Sequence, residues 1–304
     1  MNRNCKNKSS ICMVLIAGCL WGCMGLLVRP LQTIGLQTME IVALRSIVTF
    51  VVMTLIIIIK EPAAFHIKIK DSWIFFGTGI CSIVFFNYCY FMTIGRTSLS
   101  VAAVLLYTAP AFVILMSAIF FHERITLLKI AAVALTFFGC MLVAGVNTSQ
   151  TALTLQGLVS GLLAGFFYAL YSIFAKIASN RGYSGKTITF YTFLMATAGT
   201  LPFIKPMHVA GCFMTDDKMI LYAFLLIIVT TIFPYLFYTK GLAGIEPGQA
   251  AVAASIEPVM ATIVGIVIYH EKLSLTGLIG MILVLFSIIL INMKKNCYYS
   301  QSNK

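Results

Sequence analysis

Charged residues are what this chain has least of. They make up 10% of its 304 residues, and only nine are Asp or Glu. A soluble domain carries about 25% charged residues. The shortage excludes a fold whose whole surface meets water and points to an integral membrane protein. Other absences narrow the chemistry. There is no Gly-x-x-x-x-Gly-Lys-Ser/Thr loop for an intrinsic ATP motor. There is no Gly-x-Ser-x-Gly, no His-Glu-x-x-His and no pair of aspartates inside an apolar run, so an intramembrane enzyme lacks its reactive groups. No Cys-x-x-Cys occurs, and the nine cysteines are an odd number. Most lie in apolar runs (Cys12, Cys19, Cys23, Cys81, Cys89 and Cys140) and read as small packed hydrophobes. The sequence therefore calls for no cofactor and no metal. The basic N-terminus MNRNCKNKSS precedes an apolar run with no convincing cleavage site, so that run reads as a helix that stays.

What is present is long hydrophobic runs. A membrane helix needs roughly 20 apolar residues. Ten runs qualify as candidates: 11–28, 39–59, 73–92, 99–121, 127–145, 155–175, 187–204, 219–238, 248–269 and 274–292. The Thr-rich seventh is the weakest. The net charge of +12 is spread over short connections, which suits membrane topology better than nucleic acid. With the N-terminus inside, fifteen of the 21 Lys and Arg fall on the inner side and five (Arg29, Arg96, Lys205, Lys218 and Lys272) on the outer, with Arg45 inside a run. That bias predicts both termini on the cytoplasmic side.

The stretch "FFHERIT", ending at Thr126, returns as "IYHEKLS", ending at Ser274. At the same shift of 148 residues Tyr90 meets Tyr238, Ala102-Ala103-Val104 meets Ala250-Ala251-Val252, and Pro110 meets Pro258. Runs one to five are thus repeated as six to ten. Five is odd, so the second copy enters the membrane from the opposite face. The expected architecture is all-α, ten transmembrane helices in two inverted five-helix repeats over 11–146 and 155–293, with short tails at 1–10 and 294–304. Inverted repeats mark many secondary transporters, whose site lies near the midplane where the halves meet. Glu123 and Glu271 begin short connections, and each reads as a structural corner that accepts from orphan N–H groups of the next helix.

These segments resemble the EamA family of the drug/metabolite transporter superfamily. The likeness is carried by "APAFVILMSAIFFHERIT" and its echo "IEPVMATIVGIVIYHEKLS", by "LIAGCLWGCMGLLVRP" and "EIVALRSIVTF", and by "GLLAGFFYALYSIFAKI". It covers roughly residues 11–293. It implies a ten-helix carrier of small metabolites, often an exporter of amino acids or related compounds, in a bacterial cell membrane. Family members differ widely in cargo, so the fold does not name the solute.

Ionisable groups inside a membrane cost about 2.5–3.5 kcal/mol at a helix centre and need a reason. Two lie well inside a run. Glu257 stands beside Pro258 in the ninth; it is a ligand for a substrate amine or a proton carrier, or else a buried carboxyl bonded to helix backbone or to Ser255. Arg45 in the second is a ligand for a substrate carboxylate, or snorkels, or pairs with Glu40 or a helix carbonyl. Trp21, Asn87, Tyr90, Tyr107, Tyr168 and Tyr238 complete the expected cavity, an aromatic lining with a few polar groups. Pro110 and Pro258 are expected kinks. Gly18-x-x-x-Gly22 and Gly161-x-x-x-Gly165 read as close-packing pairs. The partners expected are a small solute, the bilayer and protons as coupling ion. The competing class is a facilitator, channel or lipid scramblase of the same fold. The sequence does not set the oligomeric state.

Overall fold

The computed structural model describes residues 3–145, 154–214, 216, 218–270 and 274–301, without side chains at 3–6 and 293–301. Among the described residues it is all helix and turn, with no strand. Eight helices are long and apolar enough to cross a membrane: α1 Asn7–Thr33, α2 Thr38–Lys60, α3 Ile69–Arg96, α4 Leu99–Phe121, α6 Leu155–Asn180, α9 Lys218–Leu242, α10 Pro247–Tyr269 and α11 Leu275–Asn292. Helix α5, Leu127–Val143, is apolar but shorter. The Thr-rich run forms α7, Gly185–Phe203, which meets α8, Pro206–Phe213, at a bend of 93°. The bend falls where Pro202 and Pro206 remove two backbone donors. Every expected run is helical, and the fifth and seventh depart from a plain span. The protein is a multi-pass membrane protein.

Helix starts follow local chemistry. Ser98, Thr126, Thr154, Ser184 and Ser274 each accept a hydrogen bond from the backbone N–H three residues on (Val101, Lys129, Gly157, Thr187 and Gly277). Thr126, not Glu123, therefore caps α5. The two histidines of the repeated phrase end their helices in the left-handed region, His122 at φ 54° and His270 at φ 54°, and their N–H groups bond Ser117 O and Gly265 O. Glu271 lies outside the described residues.

The shift of 148 reappears in the backbone. Helix α4 is interrupted between Leu99–Leu106 and Ala109–Phe121, and α10 between Pro247–Ala254 and Glu257–Tyr269. Wide π turns occupy Gly77–Val84 in α3 and Ile228–Ile232 in α9, and their last residues match under the shift. Contacts then cross between the halves. Helix α1 packs along α9 and both segments of α10, while α6 packs along α3 and both segments of α4. Each interrupted helix is thus cradled by a helix from the other half.

Candidate functional site

The two interruptions share a cause. Pro110 and Pro258 have no N–H to give to Leu106 and Ala254 four residues earlier. Just ahead of each proline the chain tightens to three-residue bonds, Thr108 N–H to Leu105 O (3.2 Å) and Ile256 N–H to Ala253 O (3.3 Å). The expected kinks are thus full breaks, each with its proline second in the new helix. The glycine pairs let the neighbouring backbone close on them. A Cβ on Gly18 would stand 2.8 Å from Ala254 O, and one on Gly22 would stand 2.6 Å from Glu257 O. On the other side, a Cβ on Gly165 would stand 2.5 Å from Thr108 Oγ1 and 3.0 Å from Leu105 O.

Between the breaks lies a cavity of about 20 Å³, lined by Leu106, Tyr107, Pro110, Tyr168, Ser172, Tyr238, Ser255 and Glu257 together with small aliphatic side chains. That is room for about one water, so a metabolite enters only when the walls part. Of the expected cavity residues, Tyr107, Tyr168, Tyr238 and Glu257 line it, as does Pro110. Glu257 is its only charged group. No described residue donates a hydrogen bond to the Glu257 carboxylate, and the hydroxyls of Tyr107 and Tyr168 likewise have no protein partner. Ser255 does not hold Glu257; its hydroxyl donates to Ala251 O at 3.1 Å. A carboxylate without a donor in a membrane interior is costly unless a ligand or a proton satisfies it.

The remaining expected residues stand around the cavity. Arg45 donates from Nε to Thr231 Oγ1 at 2.9 Å, and its Nη1 lies 3.4 Å from Met24 Sδ. It lies within electrostatic reach of Glu257 but forms no ion pair with it. Glu40, which the sequence offers as a partner for Arg45, instead meets His208 Nδ1 at 3.0 Å and accepts from Gln37 N–H at 2.9 Å. Trp21 is 8% exposed and packs edge-on to Tyr235 at 5.5 Å and tilted against Tyr238 at 5.4 Å. Tyr90 packs tilted against Phe86 at 5.7 Å and stands within electrostatic reach of Glu257. Asn87 turns its amide to Ile83 O of its own helix at 2.7 Å, so it serves backbone.

Three participants are missing from the expected set. Ser172 and Tyr238 share a 2.6 Å hydrogen bond at the cavity wall. Tyr235 joins Trp21, Tyr171 and Phe193 in one aromatic cluster. Thr231 holds Arg45. Two carried a signal. Ser172 falls four residues after Tyr168, on the same helix face, and Tyr235 is the counterpart of Asn87 in the repeat. Thr231 carried none, because its place depends on the π turn of α9.

The EamA-like transporter family matches this chain twice, at residues 8–145 and 155–293. The chain belongs to that family. An uncharacterized transporter of Archaeoglobus fulgidus is 30% identical over 201 residues, 66% of this chain and 70% of the relative. The uncharacterized transporter YojE of Bacillus subtilis is 22% identical over 286 residues, spanning 90% of this chain and 89% of the relative. A solved crystal structure of a protein superposes with a TM-score of 0.74 at 15% identity, covering 94% of this chain and 97% of the other, a likeness of fold. The EamA protein described here is therefore a membrane transporter.

Proposed function

We propose that this EamA protein is a secondary carrier that moves small metabolites, amino acids or related amphipathic compounds, out of the cell by alternating access. In this reading its ten helical runs cross the membrane as two inverted repeats, 11–146 and 155–293, with both termini cytoplasmic in a bacterial cell membrane. The solute binds between the broken helices α4 and α10. Protons couple through Glu257, which holds solute and proton in turn.

One observation carries the reading: the lone carboxylate of the cavity faces it without a protein hydrogen bond. It stands at the break of a helix, where carriers of this general design place their sites. A structural acid would be satisfied by its surroundings. The test is counterflow of labelled amino acids in proteoliposomes, wild type beside Glu257→Gln. Saturable exchange that the substitution abolishes in a folded protein supports the carrier and its coupling residue. Exchange untouched by the substitution removes Glu257 from the mechanism, and linear, non-saturating flux favours a facilitator.

A further inference from the structure

Resting on the reading of this cavity as the solute site, we infer that the solute is recognised as an amine, through its ammonium group, and that a free carboxylate on the solute is selected against. The unengaged polar groups of the cavity select for it. Ser172 and Tyr238 satisfy each other, and Ser255 is spent on Ala251 O. What remains for a ligand is the Glu257 carboxylate with the phenols of Tyr107 and Tyr168. An ammonium brings three donors and no acceptor. It finds an anion, two phenol oxygens as acceptors, and aromatic rings that attract cations.

A solute carboxylate finds no cation in the wall, only phenol O–H donors beside the like charge of Glu257. Among the described residues, no Lys, Arg or His lines the cavity. Arg45 is the nearest candidate; it does not line the cavity, and its guanidinium is held by Thr231 Oγ1 at 2.9 Å and Met24 Sδ at 3.4 Å. Burying an unpaired carboxylate in such a site costs far more than burying the apolar body of the same molecule. The rest of the wall (Leu106, Pro110, Val113, Ala251 and Ala254) suits that apolar body. The ligand class is a primary amine on an aromatic or branched aliphatic group, the decarboxylated form of an amphipathic amino acid.

The experiment measures both binding and exchange with the full chain. Calorimetry in detergent compares tyramine with tyrosine and isopentylamine with leucine, and adds 3-(4-hydroxyphenyl)propionate as the carboxylate-only probe. Counterflow in proteoliposomes uses the same compounds. At least one amine should bind about tenfold or more tightly than its parent amino acid, and the propionate should not bind. Glu257→Gln should weaken the amine about tenfold or more, Glu257→Asp should restore part of it, and both should keep the wild-type melting temperature. Parent amino acids binding as tightly as the amines would overturn the inference. So would binding of the propionate, amine affinity indifferent to Glu257→Gln, or no amine binding to folded protein. The two readings separate cleanly. Amine binding without counterflow keeps the recognition and removes the carrier, whereas amino-acid counterflow without amine binding keeps the carrier and removes the recognition.

Discussion

Gly18 and Ala254 meet without room for a methyl group between them: a Cβ on Gly18 would stand 2.8 Å from the Ala254 carbonyl oxygen. That oxygen is the acceptor Pro258 leaves without its helical donor. The glycine thus lets the first helix of one half close over the helix break of the other. Gly165 does the same for the break in α4, close to the Leu105 and Leu106 carbonyls.

Gly18→Leu should therefore destabilise the protein by about 1–3 kcal/mol, the usual cost of overpacking a tight contact. Gly25→Ala supplies the control, because nothing lies within 4 Å of a Cβ there. It should leave stability unchanged or slightly raised, since Ala is the better helix former. Thermal unfolding in detergent measures both. Equal melting temperatures for the two variants would show that α1 and α10 are not in this contact.

The repeated histidines make a sharper test of what the His-Glu phrase is for. His122 holds φ 54° at an exposed helix end, a conformation that costs an ordinary residue about 1–2 kcal/mol and glycine almost nothing. His122→Gly should leave stability equal or higher by up to about 1 kcal/mol, after the entropy glycine adds to the unfolded chain. His122→Val should lower it by about 1–2 kcal/mol. Transport that survives His122→Gly makes the residue a helix terminator, and transport lost with stability intact makes it a gate or ligand.

Much of this architecture was legible in the sequence because it rests on spacing. Pro110 and Pro258 locate both breaks, and the shift of 148 pairs them. The scarcity of intramembrane charge singles out Glu257 and Arg45. What was not legible depends on contacts made only after folding. Asn87 bonds its own backbone, a choice set by the turn of α3 into which it is built. Arg45 found Thr231 through the π turn of α9, which no residue type announces. Glu123 looked like a helix cap, but its carboxylate meets Lys129, six residues on in the first turn of α5, and Thr126 caps instead.

The wall hydrogen bond between Ser172 and Tyr238 separates cavity shape from ligand contact. Its 2.6 Å length ties α6 to α9 beside the cavity. Ser172→Ala removes it and leaves the buried Tyr238 hydroxyl, 3% exposed as a residue, without that partner. Stability should fall by about 1–3 kcal/mol. Adding Tyr238→Phe removes the orphaned hydroxyl as well, so the double variant should recover part of the loss. A double variant worse than the sum of its parts, in a melting-temperature cycle, would mean that the two hydroxyls do not pair.

At the end of the bundle that carries the His122 corner, Lys129 Nζ stands 3.2 Å from Glu123 and 3.0 Å from Glu246, joining the hairpin of the first half to the α9–α10 connection of the second. The shift of 148 puts Gly277 in place of Lys129 and Ser98 in place of Glu246, so the matching corner cannot repeat the triad. Burial and the Glu246 charge raise the Glu123 carboxyl above its ordinary pKa, and Lys129 works against them. A raised carboxyl favours the folded state at low pH, and that contribution is lost as pH climbs through the folded pKa. Lys129→Met removes the opposing cation and leaves two carboxylates facing each other. The variant should trail wild type most at pH 8, and the gap should narrow on acidification as Glu123 takes up its proton. Glu246→Gln placed on Lys129→Met should close most of the remaining gap at pH 8. Melting temperatures across pH 5–8 measure this, and a gap independent of pH would show that the triad's charges are not what holds that end together.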